Sequence, residues 1–433
     1  MNSIKILAIR KKLKNSYNIT VIGIFCITLS FFINPFTIQR MMVPDGNIQS
    51  IDKIRCIFLF EGALFCVGVY VYLKSKHLWN KETWIRIIML VSFILACWIF
   101  LEYISYIGGT IVFGKDYFKS PVKPNYGLIT KNLYNIDIDK NVGYVLKKNN
   151  THHAIKAYSN GNSIYSVTYA TDEYRRRTVN QTYSPANKHL ILFGDSFTYG
   201  EGLNDQDTLQ YQLQQVIPQY NIYNYAVHGY GPQQILAILE SKRLPQEVFS
   251  LKGVAVYVFV EPNSIRRLIG STATFWTFDM HGFPFYDLDK NKEIIRKGDF
   301  ISDRTLLSFL YRNYTDLRNN SPFLQLLNLN FPVRIRNRDI FLIYKLIEKS
   351  KRLYEEQFSG TFYVLIHPLT EYNNNVVKLI RLLVDHHIPV LQYPLDPTSK
   401  EYRIIGDEHP NEKTNQLLSV YMSSVFTKSN NPK

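Results

Sequence analysis

Three long apolar runs open the chain, and beyond them short apolar stretches alternate with amphipathic ones. Residues 19–33, 57–73 and 87–101 are nearly free of charge, and with uncharged flanks each run reaches roughly 20 residues, enough for a helix to cross a bilayer. The pattern predicts a membrane anchor over residues 1–106 with transmembrane helices at about 19–36, 56–73 and 86–104. Lys5, Arg10, Lys11, Lys12 and Lys14 precede the first run, and Lys74, Lys76, Lys81 and Arg86 lie between the second and third. In the first loop Arg40, Lys53 and Arg55 are partly offset by Asp45 and Asp52. That asymmetry puts the N-terminus in the cytoplasm and everything after Tyr106 outside, in the periplasm if the cell is Gram-negative. A cleaved signal peptide would suit the basic start, but Asn34-Pro35-Phe36-Thr37-Ile38 follows the first run with no small-x-small cleavage site. Glu61, inside the second run, is costly in lipid and faces either a partner or the interface.

After the anchor the chain turns polar, and 107–185 reads as a β-containing lead-in covering one edge of the next domain. Residues 154–158 and 163–169 flank Asn160-Gly161, a pair suited to the positive φ angles of a tight hairpin turn. From 186 to 427 the periods alternate. Apolar strands are predicted at 190–193, 220–225, 253–260, 361–366 and 388–393, and helices at 208–217, 232–241, 340–357, 371–386 and 411–426. Alternation of this kind, with strands apolar on both faces, predicts an α/β domain with a doubly wound parallel sheet. Residues 265–338 form an insertion whose aromatic stretch, 275–286, fits either a lid over the site or a small satellite core.

Composition narrows the chemistry. The four cysteines, Cys26, Cys56, Cys66 and Cys97, all lie in or beside the apolar runs, so the later region has neither a disulfide framework nor a thiol nucleophile. The net charge of +15 is dispersed and comes with no nucleic-acid motif, which points instead to anionic lipid or acidic glycan nearby. No cofactor or metal is called for.

The loops after the predicted strands carry the candidate site. Gly194-Asp195-Ser196 follows the first strand, Ala226-Val227-His228-Gly229-Tyr230-Gly231 the second, and Glu261-Pro262-Asn263-Ser264 the third; Gly406-Asp407-Glu408-His409-Pro410 precedes the last helix. In a parallel sheet these converge on one rim. They supply a hydroxyl nucleophile, a glycine N–H open to close approach, a side-chain amide donor, and a histidine with a carboxylate, which are the parts acyl transfer requires. Taken singly, Ser196 would be a helix cap, Gly229 a turn glycine and Asn263 a loop hydrogen-bonder.

In that order the blocks resemble those of the SGNH (GDSL-like) hydrolases over roughly 188–426, and Gly143-Tyr144-Val145-Leu146 and Asp172-Glu173-Tyr174 resemble the approach seen in many bacterial members. The resemblance implies a flavodoxin-like sheet, Ser196 as nucleophile, His409 as base, Asp407 as its orienting acid, and an oxyanion hole from the N–H groups of Ser196 and Gly229 with the Asn263 amide. Two blocks depart from the pattern. The third keeps only its asparagine, and the last places the acid two residues before the histidine rather than three, leaving a triad and a Ser/His dyad both open. Asp195 is expected to tie down its turn and His367 to be structural, while His228 has no assignment.

With the anchor that the apolar runs predict, the resemblance implies an esterase removing an O-acyl group, such as acetyl, from a surface polysaccharide, a lipid or a lipid-linked glycan. The competing expectations are an acyltransferase using the same Ser/His pair with a second membrane protein as acyl-transfer partner, and a silent glycan-binding module.

Overall fold

A computed structural model describes residues 23–30, 60–69, 98–112, 128–131, 134–158, 161–179, 181–185, 187–261, 263–272, 282–300, 305–327, 330–370 and 372–428. The chain divides into two compact units, residues 1–112 with 321–334, and residues 113–320 with 335–433.

In the first unit the described residues 23–30, 60–69 and 98–112 are helical, and most of the predicted spans lie outside the described residues. Among the described residues no helix is long and apolar enough to cross a membrane. The third helical stretch runs past the predicted boundary at 104 to residue 112. Its Glu102 carboxylate accepts hydrogen bonds from the Ser321 hydroxyl and, at 3.0 Å, from the Phe323 N–H, at the start of the short helix Pro322–Leu327. Trp98 packs edge-on against Phe323 with ring centroids 5.5 Å apart.

The second unit is built on one nine-stranded sheet. In chain order its strands are β1 (Leu128–Lys131), β4 (Thr151–Tyr158), β5 (Ser163–Thr171), β6 (Arg177–Thr178), β7 (Lys188–Phe193), β8 (Tyr220–Asn224), β9 (Lys252–Phe259), β12 (Ser359–Ile366) and β13 (Val390–Gln392). Two further hairpins pair β2 (Ile136–Asp139) with β3 (Gly143–Leu146), and β10 (Pro284–Leu288) with β11 (Ile294–Asp299). The helices of this unit are α1 (Ser196–Tyr199), α2 (Leu209–Val216), α3 (Pro232–Glu240), α4 (Leu244–Glu247), α5 (Asn263–Leu268), α6 (Thr305–Asn320), α7 (Asn337–Gln357), α8 (Asn374–Asp385) and α9 (Glu412–Lys428).

Strands β8, β7, β9, β12 and β13 are parallel in that spatial order, the 2-1-3-4-5 arrangement of a flavodoxin-like sheet. Side chains alternate between two cores because successive residues of a strand point to opposite faces. Ile191, Phe193, Tyr257, Phe259, Val364 and Ile366 pack on one face with α3, α7 and α8. Leu190, Leu192, Val256, Val258 and Leu365 pack on the other with α2 and α9. Coverage of both faces explains why these strands read as unbroken apolar runs.

The sheet as a whole is mixed, which corrects the expectation of a wholly parallel one. β1, β4, β5 and β6 of the lead-in join antiparallel, with β6 meeting β8 at the Arg177–Asn224 bridge. Without them the outer edge of β8 would present unpaired backbone groups. The lead-in also contributes Tyr144, Tyr165, Val167 and Tyr169 to the first core. In the insertion, Phe283, Phe285 and Tyr286 are buried in that same core, while residues 275–281 of the aromatic stretch lie outside the described residues.

Candidate active site

The strand order reverses at β7, so loops from β7 and its neighbours flank a crevice at their carboxyl ends. Ser196 opens α1 there. The turn is fixed by Asp195, whose carboxylate caps the helix by accepting from the Phe197 N–H at 3.0 Å and accepts from the Arg267 guanidinium at 2.8 Å. Gly194 is required by crowding: a Cβ there would lie 2.1 Å from the Thr198 hydroxyl oxygen.

The loop after β8 is tied to this turn by backbone bonds from the Tyr225 N–H to Leu192 O (2.9 Å) and from the Val227 N–H to Gly194 O (3.3 Å). It then turns over Val227–Tyr230, where Gly229 takes φ of 76°, a left-handed value that favours glycine. Among the described residues the N–H groups of Ser196 and Gly229 have no acceptor. Two orphaned donors on adjoining loops are what an oxyanion hole needs. Asn263 begins α5 on the next loop along, and its side chain lies outside the described residues.

Arg267, one turn into α5, joins all three loops. It is buried, donates to Asp195 at 2.8 Å and to the Tyr230 carbonyl at 3.0 Å, and its own carbonyl accepts from the Gln233 amide at 3.1 Å.

The fourth loop carries Asp407 and His409. Arg403 and Pro410 bridge across its neck, the Ile404 N–H donates to His409 O (2.9 Å), and the Asp407 N–H donates to Ile404 O (2.9 Å). Gly406, at φ of 81°, makes the bend, and a Cβ there would lie 2.1 Å from the Tyr158 hydroxyl oxygen on β4. This geometry compensates for the short spacing. Asp407 Oδ1 accepts both from the His409 N–H at 2.9 Å, closing an Asx turn, and from the same residue's ring Nδ1 at 2.5 Å. On the far side of the ring, His409 Nε2 lies 2.8 Å from Ser196 Oγ. Ser196, His409 and Asp407 thus form one hydrogen-bonded relay, with Nδ1–H on Asp407 and the Nε2 lone pair free to accept the serine proton.

Lys156 of β4 donates to the other Asp407 oxygen at 2.7 Å, so the lead-in hairpin holds the acid of the relay. Although burial favours the neutral acid, His409 and Lys156 hold the Asp407 carboxyl far below the usual carboxylate range. At His409, burial disfavours the charged ring, but Glu201 and then Asp407 outweigh it and raise the imidazole above its ordinary value, while Lys156 opposes them. Lys156→Met is therefore expected to move the acidic limb of kcat/KM to higher pH, and a limb at the wild-type position would contradict that placement of Lys156.

Glu201, directly after α1, places a second buried carboxylate beside this histidine. Its Oε2 lies 2.7 Å from His228 Nδ1 and 3.5 Å from His409 Nε2. His228 is thereby a partner of Glu201, and its carbonyl accepts from the Tyr144 hydroxyl. His367 is fully buried, accepts a hydrogen bond from the Leu369 N–H at 3.2 Å, and packs its ring against Phe197 rather than joining the relay. Burial, with Arg403 and His409 close by, pushes its pKa down to about 3 and keeps it neutral.

Motif reading finds neither Lys156, Glu201 nor Arg267. Glu201 leaves one signal, an acid between two glycines immediately after the short helix that Ser196 opens, and Arg267 another, a cation one helical turn past Asn263. Lys156 leaves none.

Fold and site together define an α/β protein carrying a serine–histidine–aspartate relay at the carboxyl ends of its parallel strands. No protein-family model matches the chain, and no curated protein matches it. Among solved structures it is similar to a lipolytic protein of the G-D-S-L family from Veillonella parvula, at 16% identity over 56% of this chain and 99% of that one, with a TM-score of 0.32. It is similar also to an acetyl xylan esterase from Butyrivibrio proteoclasticus, at 10% identity over 58% of this chain and 66% of that one, TM-score 0.32. A third, an esterase from Pseudoalteromonas, shares 12% identity over 56% and 98% of the two chains, TM-score 0.30. At these identities and scores the chemistry rests on the site itself.

Proposed function

We propose that the chain is a serine esterase that removes an O-acyl group, such as acetyl, from a surface carbohydrate or lipid. The observation that carries this is the relay: Ser196 Oγ 2.8 Å from His409 Nε2, with Asp407 Oδ1 2.5 Å from the opposite ring nitrogen. Nε2 takes the hydroxyl proton as Oγ bonds to the ester carbonyl carbon, and the carbonyl electron pair moves to oxygen, toward the Ser196 and Gly229 N–H groups. Collapse of that oxyanion expels the alcohol, which takes the proton from Nε2. Water then repeats the sequence on the acyl-serine, giving the free acid and restoring the hydroxyl.

The three apolar runs and the basic N-terminal tail support a membrane anchor that holds this domain outside the cytoplasm. The charge of +15 suits an anionic lipid or acidic glycan surface. Protease added to spheroplasts should cut the chain after Tyr106, and a protected C-terminal region would refute the outward orientation.

For the chemistry, the purified protein is given an acetyl ester with and without oligosaccharide acceptors, and free acetate is followed against acetylated sugar by mass spectrometry. Free acetate should dominate. Acetylated sugar in excess would make the protein a transferase, and neither product would leave a binding module. Because only neutral His409 can accept the serine proton, and its pKa is raised, activity should disappear as pH falls through a value above histidine's ordinary 6.5.

A further inference from the structure

Glu201 is a carboxylate that a serine–histidine–aspartate relay does not require, and burying one without need is costly. It is 4% exposed. The backbone is shaped to hold it where it is: the Glu201 N–H donates to Ser196 O at 3.0 Å, and the residue lies between Gly200 and Gly202, at φ of 88° and 81°. A Cβ on either glycine would crowd a neighbour, Thr208 Cγ2 at 2.8 Å or Ile404 Cδ1 at 2.7 Å. The turn after α1 thus doubles back and brings the carboxylate beside the nucleophile's partner.

Its placement relative to the imidazole differs from that of Asp407. Asp407 is on Nδ1, whereas Glu201 Oε2 faces Nε2 at 3.5 Å, the nitrogen that also meets Ser196 Oγ at 2.8 Å. We propose that Glu201 is a positioning residue whose carboxylate stabilises the imidazolium formed each time His409 Nε2 takes a proton, with His228 holding that carboxylate in place. The proposal rests on the serine-esterase reading of the same site.

While His409 is neutral, its Nε2 lone pair accepts the serine hydroxyl and gains nothing from a carboxylate 3.5 Å away. Once Nε2 carries a proton, the same contact joins that charge to a buried carboxylate, 4% exposed. An interaction that is strong only after proton transfer lowers the barrier rather than merely tightening binding. Several groups face the Glu201 carboxylate and its turn. His228 donates from the loop after β8 at 2.7 Å, and the Tyr165 hydroxyl from β5 at 3.4 Å. His409 and Asp407 approach from the loop before α9, and Tyr169 of β5 donates no proton to it but accepts from the Gly202 N–H at 2.7 Å. Arg177 of β6 donates to the Gly200 carbonyl at 2.6 Å, and Lys156 of β4 acts through Asp407. Burial alone would raise the Glu201 carboxyl, yet His409 and His228 hold it down at about 2, so it is ionised wherever the enzyme works.

The test is Glu201→Gln in the full chain, with the pH profile of kcat/KM measured alongside NMR titration of the His409 ring, assigned by its loss in His409→Gln. The ring pKa and the acidic limb should both move down by about 1 pH unit. Plateau kcat should fall roughly tenfold with KM nearly unchanged, as expected for lost transition-state stabilisation. Should Glu201→Gln not fold, Glu201→Asp, which withdraws the carboxylate by one methylene, should move both readouts the same way by less. A limb and ring titration at wild-type positions, with only thermal stability reduced, would make Glu201 structural and overturn the proposal. The ring titration needs no turnover, so it decides Glu201's placement even if the wild type proves inactive on esters.

Discussion

Ser196→Ala should lower kcat by about 10⁴–10⁶-fold while leaving the melting temperature nearly unchanged, and His409→Ala should do the same. The two act as one unit. Ser196 cannot attack without a base 2.8 Å away to take its proton, and His409 has nothing to activate without the hydroxyl. The double variant should therefore be scarcely worse than either single one, and steady-state kinetics on all three would show whether the losses merge or add. Asp407→Asn should cost less, since His409 keeps Glu201 beside it, though it loses the acceptor that fixes its tautomer. Additive losses, or appreciable turnover in Ser196→Ala, would mean that the reaction uses another nucleophile.

The second large effect is on stability. Arg267→Ala removes a buried guanidinium that bonds the Asp195 carboxylate at 2.8 Å and the Tyr230 carbonyl at 3.0 Å, leaving Asp195 buried without its countercharge. Breaking such a pair from one side costs about 3–5 kcal/mol. For a domain of this size that lowers the melting temperature by roughly 10 °C. Because Asp195 caps α1 and Tyr230 follows Gly229, turnover should fall too, by about 10²-fold if the loops shift by an ångström. Arg267→Lys should rescue little, since a lysine lacks the planar fork that reaches both partners. A variant melting within a degree or two of wild type by calorimetry would show that the three loops are held together by something else.

The strands and helices around the site are legible in the sequence for a simple reason. β7, β9 and β12 are covered on both faces and so carry unbroken apolar runs, and α7 and α8 show one buried stripe each. The antiparallel extension is harder to see. β6 is two residues long and joins β8 through a single bridge, which leaves almost no periodic signal.

Within the site, Ser196, Gly229, Asp407 and His409 are visible because each sits in a short local motif whose chemistry is recognisable from adjacent residues. Lys156, Glu201 and Arg267 are polar residues that matter only through partners far along the chain. Lys156 meets Asp407 across 251 residues, Arg267 meets Asp195 across 72, and Glu201 meets His228 across 27. Beyond the one weak local signal each at Glu201 and Arg267, their roles follow from tertiary contacts. The two-residue interval between Asp407 and His409 likewise leaves triad and dyad open until the left-handed bend at Gly406 and the Asx turn are seen together.

An activated Ser196 is revealed by exposing the purified full chain to a fluorophosphonate, which bonds covalently to a serine only when a base removes its proton, and mapping the adduct by peptide mass spectrometry. A single phosphonate on Ser196, absent from His409→Ala, is the predicted result. No adduct, or an adduct on another residue with Ser196 unmodified, would contradict it.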